Sequence, residues 1–483
     1  MMAGGDGLVE QALNAAREEF GVPAEFPREV TEAAAEAARR VVSPGNGRED
    51  RRDLPLVTID PPGSRDLDQA VGIRTEPDGG FRLWYAIADV GFFVDRGGPI
   101  ETEAFKRGVT FYAPDHKVSL YPPAISENAG SLLPGVDRPC ILFDFALDDR
   151  AEVKELTVAP AVVRSRAQLT YAQVVEHVCE DGTAFRGEEW VGTLDEMRRF
   201  GELREKIEAE RGGVSLPLVS QHVTHMAARN LGYTLEFEQP MPSEEWNEQV
   251  SLLVGHWAAR RMLEAGIGML RTMPAPNPEA LAGFRQSARA LGFAWPDRMS
   301  YPEFIRSLDV KHPRITPLVW QARPVMRGAD YVSFEGDPPE NPLHHALAMP
   351  YAHATAPLRR LGDRYVLDLL ITLAAGRRPT PEEVDTLKRL PAVMNDADSR
   401  AAKLERRAVD VAEAWMLRDR VGQSFAATVL GVRGGDVEVQ IDDPPIRAAA
   451  DKGDTRYDPG QTLTVVLESV SVQDGRVEFR VGG

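Results

Sequence analysis

The chain has 483 residues, enough for a large core and more than one domain. Its formal net charge of −18 excludes general surface attraction to nucleic acid, so an RNA ligand would have to enter a local basic channel. Two cysteines, Cys140 and Cys179, exclude a disulfide framework and read as inert core thiols in a reducing compartment; with no signal-peptide pattern and no apolar run near the ~20 residues of a membrane span, a soluble cytoplasmic protein is expected.

In chain order, residues 1–50 read as two helices. DGLVEQALNAAREEFG sets Leu8, Leu13 and Ala16 on an apolar face before Gly21, and FPREVTEAAAEAARRVV repeats the pattern up to Ser43-Pro44-Gly45. They form either a helix-turn-helix-like unit or a prop for the core; balanced Arg and Glu with no basic face favour the prop. NGREDRRDLP (46–55) reads as a charged linker. Residues 52–165 are strand-like, with alternating runs at 81–90, 138–148 and 152–163 and a long loop, VTFYAPDHKVSLYPPAISENAGSLLPG, of the kind that is often functional. Helical patterns then dominate, at 170–179, 191–211, 245–265, 277–292, 316–327, 357–375 and 381–421. Strands first and helices after predict an α+β core over 51–422. After Gly422, period-two runs with Gly-Gly and Asp-Gly turns predict a small closed barrel over 423–483, an OB-fold that binds single-stranded nucleic acid or caps the core.

Two stretches carry chemistry. In LVTIDPPGSRDLDQAVGI (56–73), Asp60, Asp66 and Asp68 crowd around Pro61, Pro62 and Gly63, which force a loop between strand ends. Converging carboxylates repel unless a cation lies between them, and hard oxygen ligands suit Mg²⁺ or Mn²⁺. The alternative is an exposed acidic loop, against which stand the apolar flanks and a following strand with its own Asp89. In YAHATAPLRRLGDRY (351–365), Pro357 fits the first turn of a helix that would carry Arg359, Arg360 and Arg364 at its start, after His353 and Thr355. A helix start with arginines attracts phosphate; the alternative is a solvated basic face paired with Asp363 and Asp368. Metal-binding acids together with phosphate-binding arginines equip a chain for phosphoryl chemistry.

Together these stretches resemble the ribonuclease II (RNB) exoribonuclease family. TIDPPGSRDLDQA resembles its acidic motif, and Thr355-Ala356-Pro357-Leu358-Arg359-Arg360-Leu361 its later Thr-Ser-Pro-Ile-Arg-Arg-Tyr motif. The resemblance runs through AIADV (86–90), the Tyr-rich loop at 110–123, SRAQLTY (165–171), LRTMPAPNPEAL (270–281) and HHALAMPYAH (344–353), over roughly 50–422. It implies that Asp60, Asp66 and Asp68 bind Mg²⁺ and position a water, that Arg359 contacts the scissile phosphate with Arg360 nearby, that Tyr112 stacks on the 3′-terminal base, that Tyr171 touches RNA farther in, and that Glu248 faces a sugar. For each tyrosine the alternative is core packing. His353 and Thr355 precede the arginines on the RNA side.

Several positions depart from the family pattern. Gln69 stands where many relatives have a fourth acid; it can ligate through its carbonyl oxygen but brings no charge, which questions a second metal. Ala356 replaces Ser, Leu361 an aromatic, and Thr272-Met273 a basic–histidine pair. The first 50 residues are too few and too helical for the small RNA-binding barrels that relatives carry before the core. The implied activity is Mg²⁺-dependent hydrolysis of single-stranded RNA from its 3′ end, processively, to nucleoside 5′-monophosphates, by a monomer without an organic cofactor. The rivals are an RNA-binding protein that has lost catalysis and an endonuclease on the same core.

Overall fold

Strands form where the 49–170 stretch is rich in Val, Ile and aromatic residues. The structure, a computed structural model, describes residues 6–180, 182–214, 220–225, 233–238, 240–433, 435–441, 443–451, 453 and 455–482. A seven-stranded mixed sheet is built from β1 (Glu49–Asp50), β2 (Val57–Asp60), β3 (Gln69–Thr75), β4 (Phe81–Ala88), β5 (Arg138–Leu147), β6 (Val153–Val163) and β7 (Ala167–Thr170), in the order β1-β6-β5-β4-β3-β2-β7. The β1–β6 and β2–β7 pairs are parallel; the others are antiparallel. β4 is buried along nearly its whole length, so the sheet is covered on both faces. The stretch read as a linker at 46–55 in fact contributes β1, an edge strand held by pairing with β6.

The helical half follows. Val191–Arg211 matches the sequence boundaries, and Pro242–Ala265 packs against it. A helix at Pro99–Arg107 was not anticipated; its charged sequence hides the buried Ile100 and Ala104. The 37-residue helix Pro381–Leu417 starts with a Thr380 capping box and runs past the first helix, Asp6–Glu19, to the barrel. Leu13 and Ala16 of that first helix are fully buried as expected, whereas Leu8 is exposed. Val9, Ala12 and Leu13 share one apolar cluster with Trp415 and with the barrel interior, so the N-terminal helix props core and barrel together. Cys140 lies in the core, but Cys179 is exposed near a helix end, contrary to the expectation of two core thiols.

The C-terminal strands Ser424–Arg433, Asp436–Ile441, Ile446–Asp451, Thr462–Ser471 and Arg476–Val481 close into a barrel, with Ser424–Arg433 pairing to both Asp436–Ile441 and Thr462–Ser471. The α+β core and terminal barrel are therefore as expected. Among the described residues no helix is long and apolar enough to cross a membrane.

Candidate active site

β2 ends at Asp60 and β3 begins at Gln69, so the Pro-Pro-Gly loop delivers all three acids to one end of the sheet. Gly63 takes a positive φ of 81° in that loop. Ser131 staples it: its hydroxyl donates to Arg65 O at 2.6 Å and accepts from Leu67 N at 2.9 Å. Asp68 is buried; its Oδ1 accepts from the Leu358 N–H at 2.7 Å, and its Oδ2 lies 3.6 Å from Arg359 Nε. Burial pushes its carboxyl up to about 8, against the pull of Arg359 and of the Leu358 N–H. Burial, assisted by Asp66, likewise pushes Asp60 up to about 7, with Arg359 opposing. Asp60 Oδ2 is buried with no hydrogen-bond partner among the described residues.

The arginine segment is built differently from the sequence expectation. The helix runs Leu361–Ala374, so Pro357 precedes it. Residues 356–360 instead form a tight turn, with Arg359 N and Arg360 N both donating to Ala356 O. The turn is tied to residues 108–110: Thr110 N donates to Arg359 O at 2.9 Å and Leu361 N to Gly108 O at 2.9 Å. The second of these bonds occupies the first helical N–H, and the next, Gly362 N–H, meets Met394 Sδ at 3.3 Å. Asp363 organises the turn from within the helix. It is fully buried, accepts from Ala356 N at 2.8 Å, and takes Arg360 Nε and Nη2 at 3.0 and 2.8 Å. Arg359 is left 43% exposed and faces the acids. Arg364 is buried and donates to Val94 O at 2.7 Å, in a separate cavity with Asp368; Asp89 is there too, paired with Arg48. Neither Arg364 nor Asp89 joins the acidic site.

A cleft of about 680 Å³ opens beside this centre, and Gln69, Tyr171, Glu248, His353, Thr355, Arg359 and Arg360 all line it. Tyr112 is 53% exposed, and its hydroxyl lies in the field of Asp66, Arg359 and Asp68. The Gln69 side-chain amide donates to the carbonyl of buried Thr355. His353 Nδ1 meets Tyr331 OH at 2.7 Å; burial and nearby arginines hold its ring well below the usual range, hence neutral. Apart from Arg364 and Asp89, the residues singled out from the sequence thus lie at one cleft and its rim.

The sequence reading missed other groups here. Glu205 and Glu208 on one helix face Glu244 and Glu245 on the next, along the same wall as Glu248. Burial, then Glu245 and its neighbours, push Glu205 up to about 7. This wall is acidic, contrary to the expected basic channel. Spacings of three and four residues on a helix, which put side chains on one face, were the available signal. Lys117 was also missed: its Nζ lies 2.7 Å from Asp66 Oδ1 and 2.9 Å from Glu127 Oε1. So was the anchor of the Tyr112 loop, a buried ion pair between Arg17 of the first helix and Asp115. Burial works against ionised Asp115, but the Arg17 guanidinium prevails and holds its carboxyl below the usual range. Replacing Arg17 with Ala leaves that carboxylate with only the half-exposed His116 beside it, and we expect a loss of about 3 kcal/mol in stability. It should also bring faster amide exchange at residues 110–118. Unchanged exchange there would show that the helix does not hold the loop.

Among the described residues, no three acid, His or Cys side chains stand together as a ready metal site. Asp60 and Asp68 nevertheless fit a cation, since both are desolvated and one Asp60 oxygen lacks any partner. Asp66 is occupied by Lys117.

The RNB domain family matches residues 48–376, and the RNase II-type exonuclease C-terminal S1 domain matches 423–482. Ribonuclease R of Escherichia coli (strain K12) is 27% identical over 509 residues, covering 97% of this chain and 62% of the relative. Ribonuclease R of Thermotoga maritima is 26% identical, covering 88% and 61%. The chain thus spans about three-fifths of the length of these relatives. In fold it is similar to Mycoplasma genitalium RNase R in complex with ribose methylated single-stranded RNA, with TM-score 0.86, 20% identity, and 97% and 77% of the chains covered. It is also similar to yeast Ssd1, a pseudonuclease, with TM-score 0.68, 18% identity, and 87% and 53% covered. With 48–376 matched by one family and a five-stranded barrel after it, the chain belongs to the RNB family and ends in an RNase II-type S1 domain.

Proposed function

We propose that this chain is a 3′-to-5′ exoribonuclease that hydrolyses single-stranded RNA processively to nucleoside 5′-monophosphates, acting as a monomer in the cytoplasm. The observation that carries the reading is the exposed Arg359 guanidinium facing the buried Asp68 carboxyl group at the edge of the cleft. Residues 51–422 form the catalytic part, 423–483 an RNA-holding barrel, and 1–50 its prop. RNA-bound structures of similar fold, one with single-stranded and one with double-stranded RNA, support RNA as the substrate class.

Mg²⁺, or Mn²⁺, held by Asp60 and Asp68 would supply a lowered pKa for water and charge for the leaving oxygen. The chain's own groups do the rest. Tyr112, exposed at the rim, stacks on the 3′-terminal base, an interaction worth ~1–3 kcal/mol and tolerant of sequence. Tyr171, Glu248, His353 and Thr355 line the path of the following nucleotides, and sugar hydroxyls favour RNA over DNA. Arg359 offsets the charge that grows on the phosphoryl oxygens. Arg360, engaged by Asp363, sets the turn and presents its remaining edge to the backbone. The water oxygen bonds to phosphorus, the bond from phosphorus to the 3′-oxygen breaks, and that oxygen leaves with a proton.

A second reading, an RNA-binding protein that does not cleave, is favoured by one observation: Asp66 is paired to Lys117. The test incubates the protein and Mg²⁺ with linear RNA labelled in its 3′-terminal nucleotide and with circular RNA. Mononucleotides from linear RNA alone support the exonuclease. Tight binding without product selects the second reading, and cuts in circular RNA select an endonuclease.

A further inference from the structure

Lys117 stands at the base of a closed loop. Phe111 and Val118 pair across it, with Phe111 N to Val118 O at 2.9 Å and Val118 N to Phe111 O at 2.8 Å. The loop therefore carries Tyr112 just after one side of its neck and Lys117 just before the other. Asp115 at its far end is fixed to Arg17. From this pinned position the Lys117 ammonium reaches Asp66 Oδ1 at 2.7 Å and Glu127 Oε1 at 2.9 Å, with its side chain 27% exposed. Glu127 is shared with Arg65 at 3.9 Å. Of the three acids in the loop, Asp68 has the Leu358 N–H and Arg359, Asp60 has a partnerless oxygen, and Asp66 alone has a lysine.

An ammonium on Asp66 Oδ1 takes up lone pairs and negative charge that a divalent cation would use, and it repels that cation, so the two compete for this carboxylate. We propose that Lys117 is an internal counter-ion latch that holds Asp66 away from the divalent cation, so that the resting site offers only Asp60 and Asp68. The inference rests on the reading that these acids hold such a cation. Lys117 is a positioning residue in this scheme. Its loop also presents Tyr112 to the RNA end, so a polyanion arriving there gives the ammonium another partner and releases Asp66. The latch also accounts for the lack, among the described residues, of a ready three-carboxylate site although all three acids are present.

The test measures Mn²⁺ binding by electron paramagnetic resonance, on the full chain without RNA. Lys117→Met should bind Mn²⁺ at least about tenfold more tightly than wild type, the scale typical of groups that orient metal ligands. In an Asp66→Asn background the same change should matter by less than about twofold, as for sites that do not interact. Lys117→Arg, which keeps the charge, should stay near wild type and guards against a folding defect in the Met variant. Equal tightening in the Asp66→Asn background would mean that Lys117 acts only as a distant charge, and the latch would be wrong. No tightening, or no Mn²⁺ binding by any variant, would overturn it as well. Because RNA is absent, failure of the latch is separate from failure of the exonuclease reading, which is judged by nucleotide release from wild type.

Discussion

Asp68→Asn is expected to slow nucleotide release from single-stranded RNA by about 10³-fold while leaving the protein folded and able to bind RNA. The side chain is 96% buried, and its two oxygens have different tasks. Oδ1 fixes the arginine turn through the Leu358 N–H, and an asparagine carbonyl can accept that bond in its place. Oδ2 faces Arg359, where the amide of asparagine would set a donor against a cation. The charge is then missing where the reaction needs it, and a loss on the order of 10³-fold in rate follows from removing one preorganised electrostatic group. Single-turnover release of labelled nucleotide is the measurement. Wild-type rates in this variant would remove the acidic loop from the chemistry.

The same variant has a stability signature of known sign. Asp60 and Asp68 sit at about 7 and about 8 in the folded chain, against an ordinary value of 3.8. The folded state therefore holds protons that the unfolded state has released between about pH 4 and pH 8. Stability should fall as pH rises through that window in chelator, because each ionisation strands a desolvated charge. Asparagine does not ionise, so Asp68→Asn should melt higher than wild type at pH 9 and respond less to pH. Added Mg²⁺ should narrow the gap by stabilising the ionised wild-type site. Identical melting of the two proteins at pH 9 in chelator would mean that Asp68 carries no such burden.

What the sequence disclosed and what it concealed divide along physical lines. The barrel was legible because alternation with Gly turns over 424–481 is a local pattern, and Val191–Arg211 because its boundaries are local as well. The acids were legible because proline and glycine around Asp60 permit little but a loop. Pro357 misled: proline favours a first helical turn, but Asp363, six residues on, captures Ala356 N and Arg360 and imposes a tight turn first. Lys117, Arg17 and the glutamate wall were concealed for a different reason. Each acquires meaning only from a partner distant in the chain, as Arg17 does from Asp115 and Lys117 from Asp66. The net acidity suggested a basic channel by elimination, yet the cleft has glutamates on one side and Arg359 and Arg360 on another. On the proposed reading, RNA in this cleft gains much of its affinity from stacking and from the barrel rather than from charge on this wall.

Arg359→Ala should slow the chemical step by about 10²-fold or more while RNA affinity falls far less. The guanidinium is 43% exposed, so it contributes little to packing, and removing it leaves the turn intact. That turn is held by backbone bonds of Arg359 itself, with Thr110 N donating to its carbonyl, and by Asp363 on Ala356 and Arg360. What is lost is a cation placed to meet charge that develops on the phosphoryl group, and such an interaction is stronger in the transition state than in the ground state. Removing it also leaves Asp68 with one fewer counter-charge, which raises an already elevated carboxyl further and shifts the rate profile to higher pH. Arg359→Lys keeps the charge but not the planar fork and should recover only part of the rate. The split is read from single-turnover rates at saturating enzyme beside RNA affinity measured with the Asp68→Asn protein and its Arg359→Ala double variant. Equal losses in rate and affinity would reduce Arg359 to an anchor for the RNA backbone.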